Sequence, residues 1–116
     1  MEIKKVTYEE VEREFLEIKP DLLDRSATYY GCFVKTELVG IVSYVEHESV
    51  IYLCHAFVKS DHRNKGIYKL LWNYSDSKIK NTDKTIYAHC NVDSLKYFIN
   101  NGYSIEKALF KVVKNK

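Results

Sequence analysis

The hydrophobic and polar positions of the chain change period several times, and each change marks an element. Residues 2–6 alternate enough for a short strand, and Thr7 followed three residues on by Glu10 has the form of a capping box that starts a helix. Val11, Phe15 and Ile18 give that helix one apolar face, and Pro20 is expected to stop it. Residues 21–28 read as a loop or a very short second helix. Residues 29–34 and 38–45 are rich in β-branched and aromatic side chains, and Lys35, Thr36 and Glu37 between them suggest a hairpin. After a polar turn at His47, Glu48 and Ser49, residues 50–58 are apolar at nearly every position, as in a central strand buried on both faces. A helix is predicted over residues 66–80, a strand over 85–90, a helix from Asn91 to Gly102, and two last strands over 104–113 around Glu106 and Lys107.

The passage from strand to helix at residues 58–71 carries the densest chemistry. The backbone N–H groups of Asn64, Lys65, Gly66, Ile67 and Tyr68 fall where a first helical turn leaves donors unpaired, and the helix dipole adds partial positive charge there. Arg63 and Lys65 add full charges, and Gly66 has no side chain to keep an anion at a distance. The stretch reads as a pyrophosphate cradle. It matches neither the P-loop pattern nor the glycine pattern of dinucleotide-binding folds. A solvated basic turn opening an ordinary amphipathic helix would show the same residues.

The run Arg63-Asn64-Lys65-Gly66-Ile67-Tyr68 resembles the coenzyme A signature of the GNAT superfamily of acyl-CoA N-acyltransferases: Arg or Gln, then Gly three residues on, then Gly or Ala two further. Val58 matches the valine that closes the family's central strand, Leu71 a following helix leucine, and Gly40 a glycine typical of the preceding strand. Tyr68 departs from the pattern, being bulky where the family is small. Residues 91–103 resemble a later family signature, with Asn91, Ser94, Tyr97, Gly102 and Tyr103 in register and Ser94 in an alanine place. Local chemistry agrees with a helix here, since Asn91 is a good N-cap, Leu95, Phe98 and Ile99 form an apolar face, and Gly102 suits a C-cap.

The resemblance implies an α/β (α+β) fold: a mixed, mostly antiparallel sheet with a splayed central strand pair and helices on both faces, in one domain over residues 1–116. It implies transfer of an acetyl group from acetyl-CoA to an amine. Phe57 and Val58 match the strand positions that hold pantetheine and polarise the thioester, and Asn91 matches an asparagine that contacts the pantetheine arm. The first helical region faces the acceptor in the family, and its brevity here implies an open acceptor site. The strand positions that often carry a general base fall on Tyr52 and Cys54, with His55 adjacent and His89 on the next strand as alternatives. Each histidine reads more readily as a hydrogen-bonded structural residue than as a base. The family's usual proton-donating tyrosine corresponds to Phe98, which has no proton to give, and Tyr97 lies about 100° around the helix from it.

Composition changes this picture little. A chain of 116 residues with 46% hydrophobic and 14% aromatic side chains can build one core. A net charge of +2 from 18 basic and 16 acidic residues argues against a nucleic-acid partner. No apolar run is long enough for a membrane span and the start has no signal-peptide core, so a cytoplasmic protein without a membrane partner is expected. Cys32, Cys54 and Cys90 lack metal-ligand spacing and read as small reduced core residues, and no metal is expected.

Three readings follow. The first is the N-acetyltransferase. The second is a catalytically degenerate acyl-CoA-binding module acting through binding or protein interaction, which Tyr68, Phe98 and the missing strand carboxylate favour. The third, a small nucleic-acid-binding or interaction protein using the basic turn, is disfavoured by the charge balance. The acceptor, whether small amine, protein N-terminus or lysine side chain, stays open, as does a homodimer.

Overall fold

A computed structural model describes residues 1–16, 18, 23–90, 92–107 and 111–115, the side chains of residues 92, 93 and 107 excepted. Its elements in chain order are β1 (Glu2–Val6), α1 (Tyr8–Glu14), β2 (Thr28–Val34), β3 (Glu37–Glu46), β4 (Val50–Val58), α2 (Ile67–Ile79), β5 (Thr85–His89), α3 (Val92–Asn100), β6 (Tyr103–Lys107) and β7 (Lys111–Lys114). The strands form one sheet in the order β1-β2-β3-β4-β5-β7-β6. Every neighbouring pair is antiparallel except β4 and β5, which run parallel with α2 as the crossover between them. This is the α/β fold with a mixed, mostly antiparallel sheet that the motifs imply. No helix among the described residues is long and apolar enough to cross a membrane.

Two apolar clusters lie on the two faces of the sheet. Val11 and Phe15 on the α1 side meet Val6, Tyr29, Leu38 and Ile41. On the other face Ile67, Leu71, Trp72 and Ile79 of α2 and Phe98 of α3 close over Val42, Tyr44, Leu53 and Val58. Gly40 permits the close approach of α2: a Cβ there would meet Leu71 Cδ1 at 3.0 Å, Ile67 Cγ2 at 3.2 Å and the Phe57 carbonyl oxygen at 3.3 Å.

Several elements depart from the sequence expectation for identifiable reasons. The capping box of α1 is present, but the helix ends at Glu14, well before Pro20, which lies outside the described residues. Phe15 leaves helical geometry while its ring packs edge-on against Phe57 at 5.6 Å, so tertiary packing ends the helix. On α3, Ile99 is exposed, and Ser94 and Tyr97 join Leu95 and Phe98 on the covered side. Glu106 and Lys107, expected at the break between the last two strands, belong to β6 itself.

β4 is not the uniformly buried strand its composition suggests. It pairs with β3 as Val42↔Ala56 and then Tyr44↔Leu53, which leaves Cys54 and His55 together opposite Ser43 in a β-bulge. The bulge reverses the alternation: Ile51 and Leu53 face the α2 cluster before it, and Ala56 and Val58 after it. Its backbone is held by a side chain, as the His55 N–H donates to Ser43 Oγ at 3.3 Å and that hydroxyl lies 3.5 Å from the His55 carbonyl. His55 is therefore exposed and on the α1 side, where strict alternation from Leu53 would have put it in the core.

Filling the contact under α2 is a direct test of this packing. Gly40→Ala should lower stability by about 1–3 kcal/mol through overpacking, read as a fall in denaturation midpoint at constant m-value.

Candidate active site

The β4–β5 ladder runs from Val50↔Thr85 to Leu53↔Ala88 and stops there. From Cys54 to Val58, β4 keeps its pairing to β3 but has no strand partner on its other edge among the described residues. The central strands are splayed, and an unpaired strand edge inside a fold must find its hydrogen bonds elsewhere.

The chain after β4 turns through a short 3₁₀ segment, Ser60–His62, into α2. Asn64 (φ 63°) and Gly66 (φ 78°) both occupy the left-handed region, which Asn and Gly tolerate best. Gly66 is the N-cap of α2 and provides no side-chain cap, and the first turn holds no acidic residue. The contrast with α1 is instructive, for there Thr7, Glu9 and Glu10 satisfy the helix start. The first α2 backbone hydrogen bond runs from Leu70 N to Gly66 O at 3.1 Å, so the amides before it have no helical partner among the described residues. A Cβ on Gly66 would meet no atom within 4 Å, which leaves space for a ligand against the backbone.

These features border one cavity of about 500 Å3 lined by Ala56, Phe57 and Val58 of β4, His62, Arg63 and Asn64 of the turn, and Gly66, Ile67, Tyr68 and Lys69. Of the residues proposed from sequence for the coenzyme, all but Lys65 and Asn91 line it. Lys65 is exposed outside the lining, and Asn91 lies outside the described residues. Ile67 can contribute its amide alone, because its side chain is core. Arg63 also fixes the turn to the strand end, since its Nε donates to the Val58 carbonyl at 3.0 Å and its guanidinium sits 5.5 Å over the Phe57 ring centroid. Sequence reasoning missed His62 and Lys69. The spacing of Lys69 three residues after Gly66 could have placed it near the first turn; His62 is brought in by the 3₁₀ turn and held near Glu37 at 3.7 Å. Tyr68 does not turn away from the cavity. It forms a wall shared with a second hollow of about 330 Å3 between α2 and α3, its ring edge-on to Trp72.

A third cavity, of about 360 Å3, opens on the α1 side and is lined by Leu23, Asp24, Arg25, Ala27, Tyr29, Ser43, Cys54 and His55. Cys54 and His55 border this cavity while the next three residues border the first, so the bulge is where the two spaces meet along one strand. Although much of its side chain is exposed, His55 is partly desolvated at this cavity, which holds its pKa below the ordinary value, so the imidazole is neutral and able to accept a proton at neutral pH. Burial pushes the Cys54 thiol up, and its part-buried place on a cavity wall corrects its reading as an ordinary core cysteine.

The other candidates are placed apart. Tyr52 stacks on Tyr87 at 5.7 Å on the open part of the sheet, and His89 ends β5 beside Lys111; neither lines these cavities. Tyr97 donates its hydroxyl to Asn73 Oδ1 at 2.9 Å, and burial, then the Asp76 charge, push its pKa up to about 12. Phe98 is 1% exposed among Trp72, Tyr97 and Tyr103.

The sequence profile described as an acetyltransferase (GNAT) domain matches residues 2–108. The chain belongs to the GNAT family. The PaiA N-acetyltransferase of Thermoplasma acidophilum, solved in complex with coenzyme A, is similar in structure with TM-score 0.71 at 15% identity, over 99% of this chain and 98% of that one. The ribosomal-protein-alanine N-acetyltransferase of Brucella melitensis biovar Abortus 2308 is similar with TM-score 0.70 at 22% identity, over 93% and 96% of the two chains. An aminoglycoside 6'-acetyltransferase type Ii gives TM-score 0.68 at 15% identity, over 97% and 94%. No curated protein sequence matches the chain significantly. Relatives with such different acceptors in their names share this fold equally well, so the fold alone does not choose the acceptor.

Gly66→Ala tests the cradle. Its left-handed φ makes a Cβ cost about 1–2 kcal/mol, so the variant should remain folded with a lower Tm, while coenzyme A affinity falls at least about tenfold by calorimetry. Wild-type affinity in a folded variant would remove the phosphate from this turn.

Proposed function

We propose that the protein is an acetyl-CoA-dependent N-acetyltransferase. The observation that carries this reading is the convergence, on one cavity, of an unpaired β4 edge and an uncapped α2 N-terminus, one suited to the amides of a pantetheine arm and the other to a pyrophosphate. Arg63 and Lys69 supply charge at the same place. Asn91, by the family resemblance, adds a contact to the arm.

In this reading the thioester carbonyl lies along β4 near Phe57 and Val58, where strand amides can stabilise the developing oxyanion. The acceptor amine approaches from the Cys54–His55 side. His55, directly or through one water, takes the ammonium proton of the acceptor; the neutral nitrogen then forms the C–N bond as the C–S bond breaks, its second proton passes to solvent to leave the amide, and the departing thiolate takes a proton from solvent. Holding both reactants on consecutive residues of one strand supplies much of the acceleration. Tyr97 is a poor acid here, because its proton is committed to Asn73 and its raised pKa makes it reluctant to part with it. His89 and Tyr52 have no part in this arrangement, and Cys54 shapes the cavity wall.

The degenerate-module reading is favoured by one observation, the absence of any carboxylate on β4. Coenzyme A titration followed by acetyl-CoA turnover over a panel of amines separates the two: binding with turnover establishes the enzyme, binding without it the module, and neither overturns both.

Two further outcomes are expected. If His55 is the base, kcat/KM should rise with pH through an inflection below the ordinary histidine value of about 6.5, because desolvation disfavours the charged imidazole. His55→Gln should lose that limb while keeping its coenzyme affinity; a rise only near the amine's own pKa, unchanged in the variant, would remove His55 from the mechanism. Tyr97→Phe should retain turnover, and Phe98→Tyr should lose about 1–3 kcal/mol of stability for a buried hydroxyl without a partner, read together as kcat and Tm. Loss of turnover in a stable Tyr97→Phe would make Tyr97 the acid.

A further inference from the structure

Resting on the acetyltransfer reading above, we infer that the acceptor is a small primary amine carrying a second cationic group, which Asp24 holds while the reacting nitrogen lies at His55. The cavity that would receive it, about 360 Å3, is sized for a small molecule and has Asp24 as its one acidic lining residue among the described residues. Asp24 is fixed in place. Its Oδ1 accepts from Ser26 N at 2.7 Å and Ser26 Oγ at 2.6 Å, while Oδ2 makes no hydrogen bond among the described residues. Its main chain is tied to the sheet by the buried Tyr29, whose hydroxyl accepts from Asp24 N at 2.9 Å and lies 3.1 Å from the Asp24 carbonyl. The hydrogen bonds from Ser26 also favour the ionised form of the carboxyl, so the wall presents an anion at neutral pH.

The opposing charge on this wall is drawn aside. The Arg25 guanidinium sits 4.4 Å over the Tyr8 ring centroid, engaged with α1. His47, on the turn between β3 and β4, lies near enough to add a small field that favours the ionised Asp24. The bulge residues Cys54 and His55 line the same cavity, beside the one assigned to the coenzyme, and the Asp24 charge is felt at the Cys54 thiol. An acceptor with an amine at each end would meet Asp24 with one and His55 with the other. An uncharged tail would leave Asp24 without its partner.

The test compares 1,4-diaminobutane with 1-aminobutane, both by calorimetric titration into coenzyme-free protein and by steady-state turnover with acetyl-CoA. The diamine should bind and show a KM at least about tenfold below that of the monoamine, the size a charge-assisted hydrogen bond supplies. Asp24→Asn, which keeps an oxygen for Ser26, should close the gap by raising the diamine KM and weakening its binding. Equal KM values, a gap that survives in Asp24→Asn, or turnover of a peptide N-terminus with the diamine inert would overturn the inference. A coenzyme that fails to bind would overturn the acetyltransfer reading instead, while Asp24-dependent diamine binding to the free protein would still support this assignment of the cavity.

Discussion

The parting of β4 from β5 after four paired positions is the constraint from which the functional geometry follows. A central strand that loses one neighbour must expose a row of backbone groups inside the fold. Here the exposed edge begins at the residue that opens the Cys54–His55 bulge, so one short segment changes both its hydrogen bonding and the faces of its side chains. The bulge is stabilised by Ser43 from β3, a buried residue whose hydroxyl accepts the His55 N–H where the β3–β4 register is interrupted. The consequence is two cavities on consecutive residues, one toward α2 and one toward α1.

The two helix starts show how the same chain builds a closed terminus and an open one. α1 satisfies its own donors with a capping box and carries glutamates against the dipole. α2 does neither, and its N-cap is a left-handed glycine. Its amides and dipole are thus left for an anion, while Gly40 lets the helix seat on β3 and Arg63 pins the turn to the end of β4. The stability of α2 comes from its buried face, which frees its first turn for binding.

In the proposed reaction, acceptor choice would belong to the other cavity. Its walls come from separate parts of the chain: a loop anchored through Tyr29, a serine of β3 and the bulge of β4.

The sequence by itself determined the order of elements, the capping box at Thr7, the turn from Arg63 to Tyr68 that opens α2 and the family, because each rests on local spacing or local backbone chemistry. Helical periodicity and the left-handed preference of Asn64 and Gly66 are visible without a partner. It could not place His55. A period of two assigns that side chain to the core, and only the extra residue opposite Ser43 brings it to the α1 side of the sheet. Nor could it end α1 at Glu14, which follows from Phe15 meeting Phe57, or join Asp24 to His55 across one cavity. These depend on contacts between residues distant in the chain, and such contacts are decided when the sheet and its helices pack.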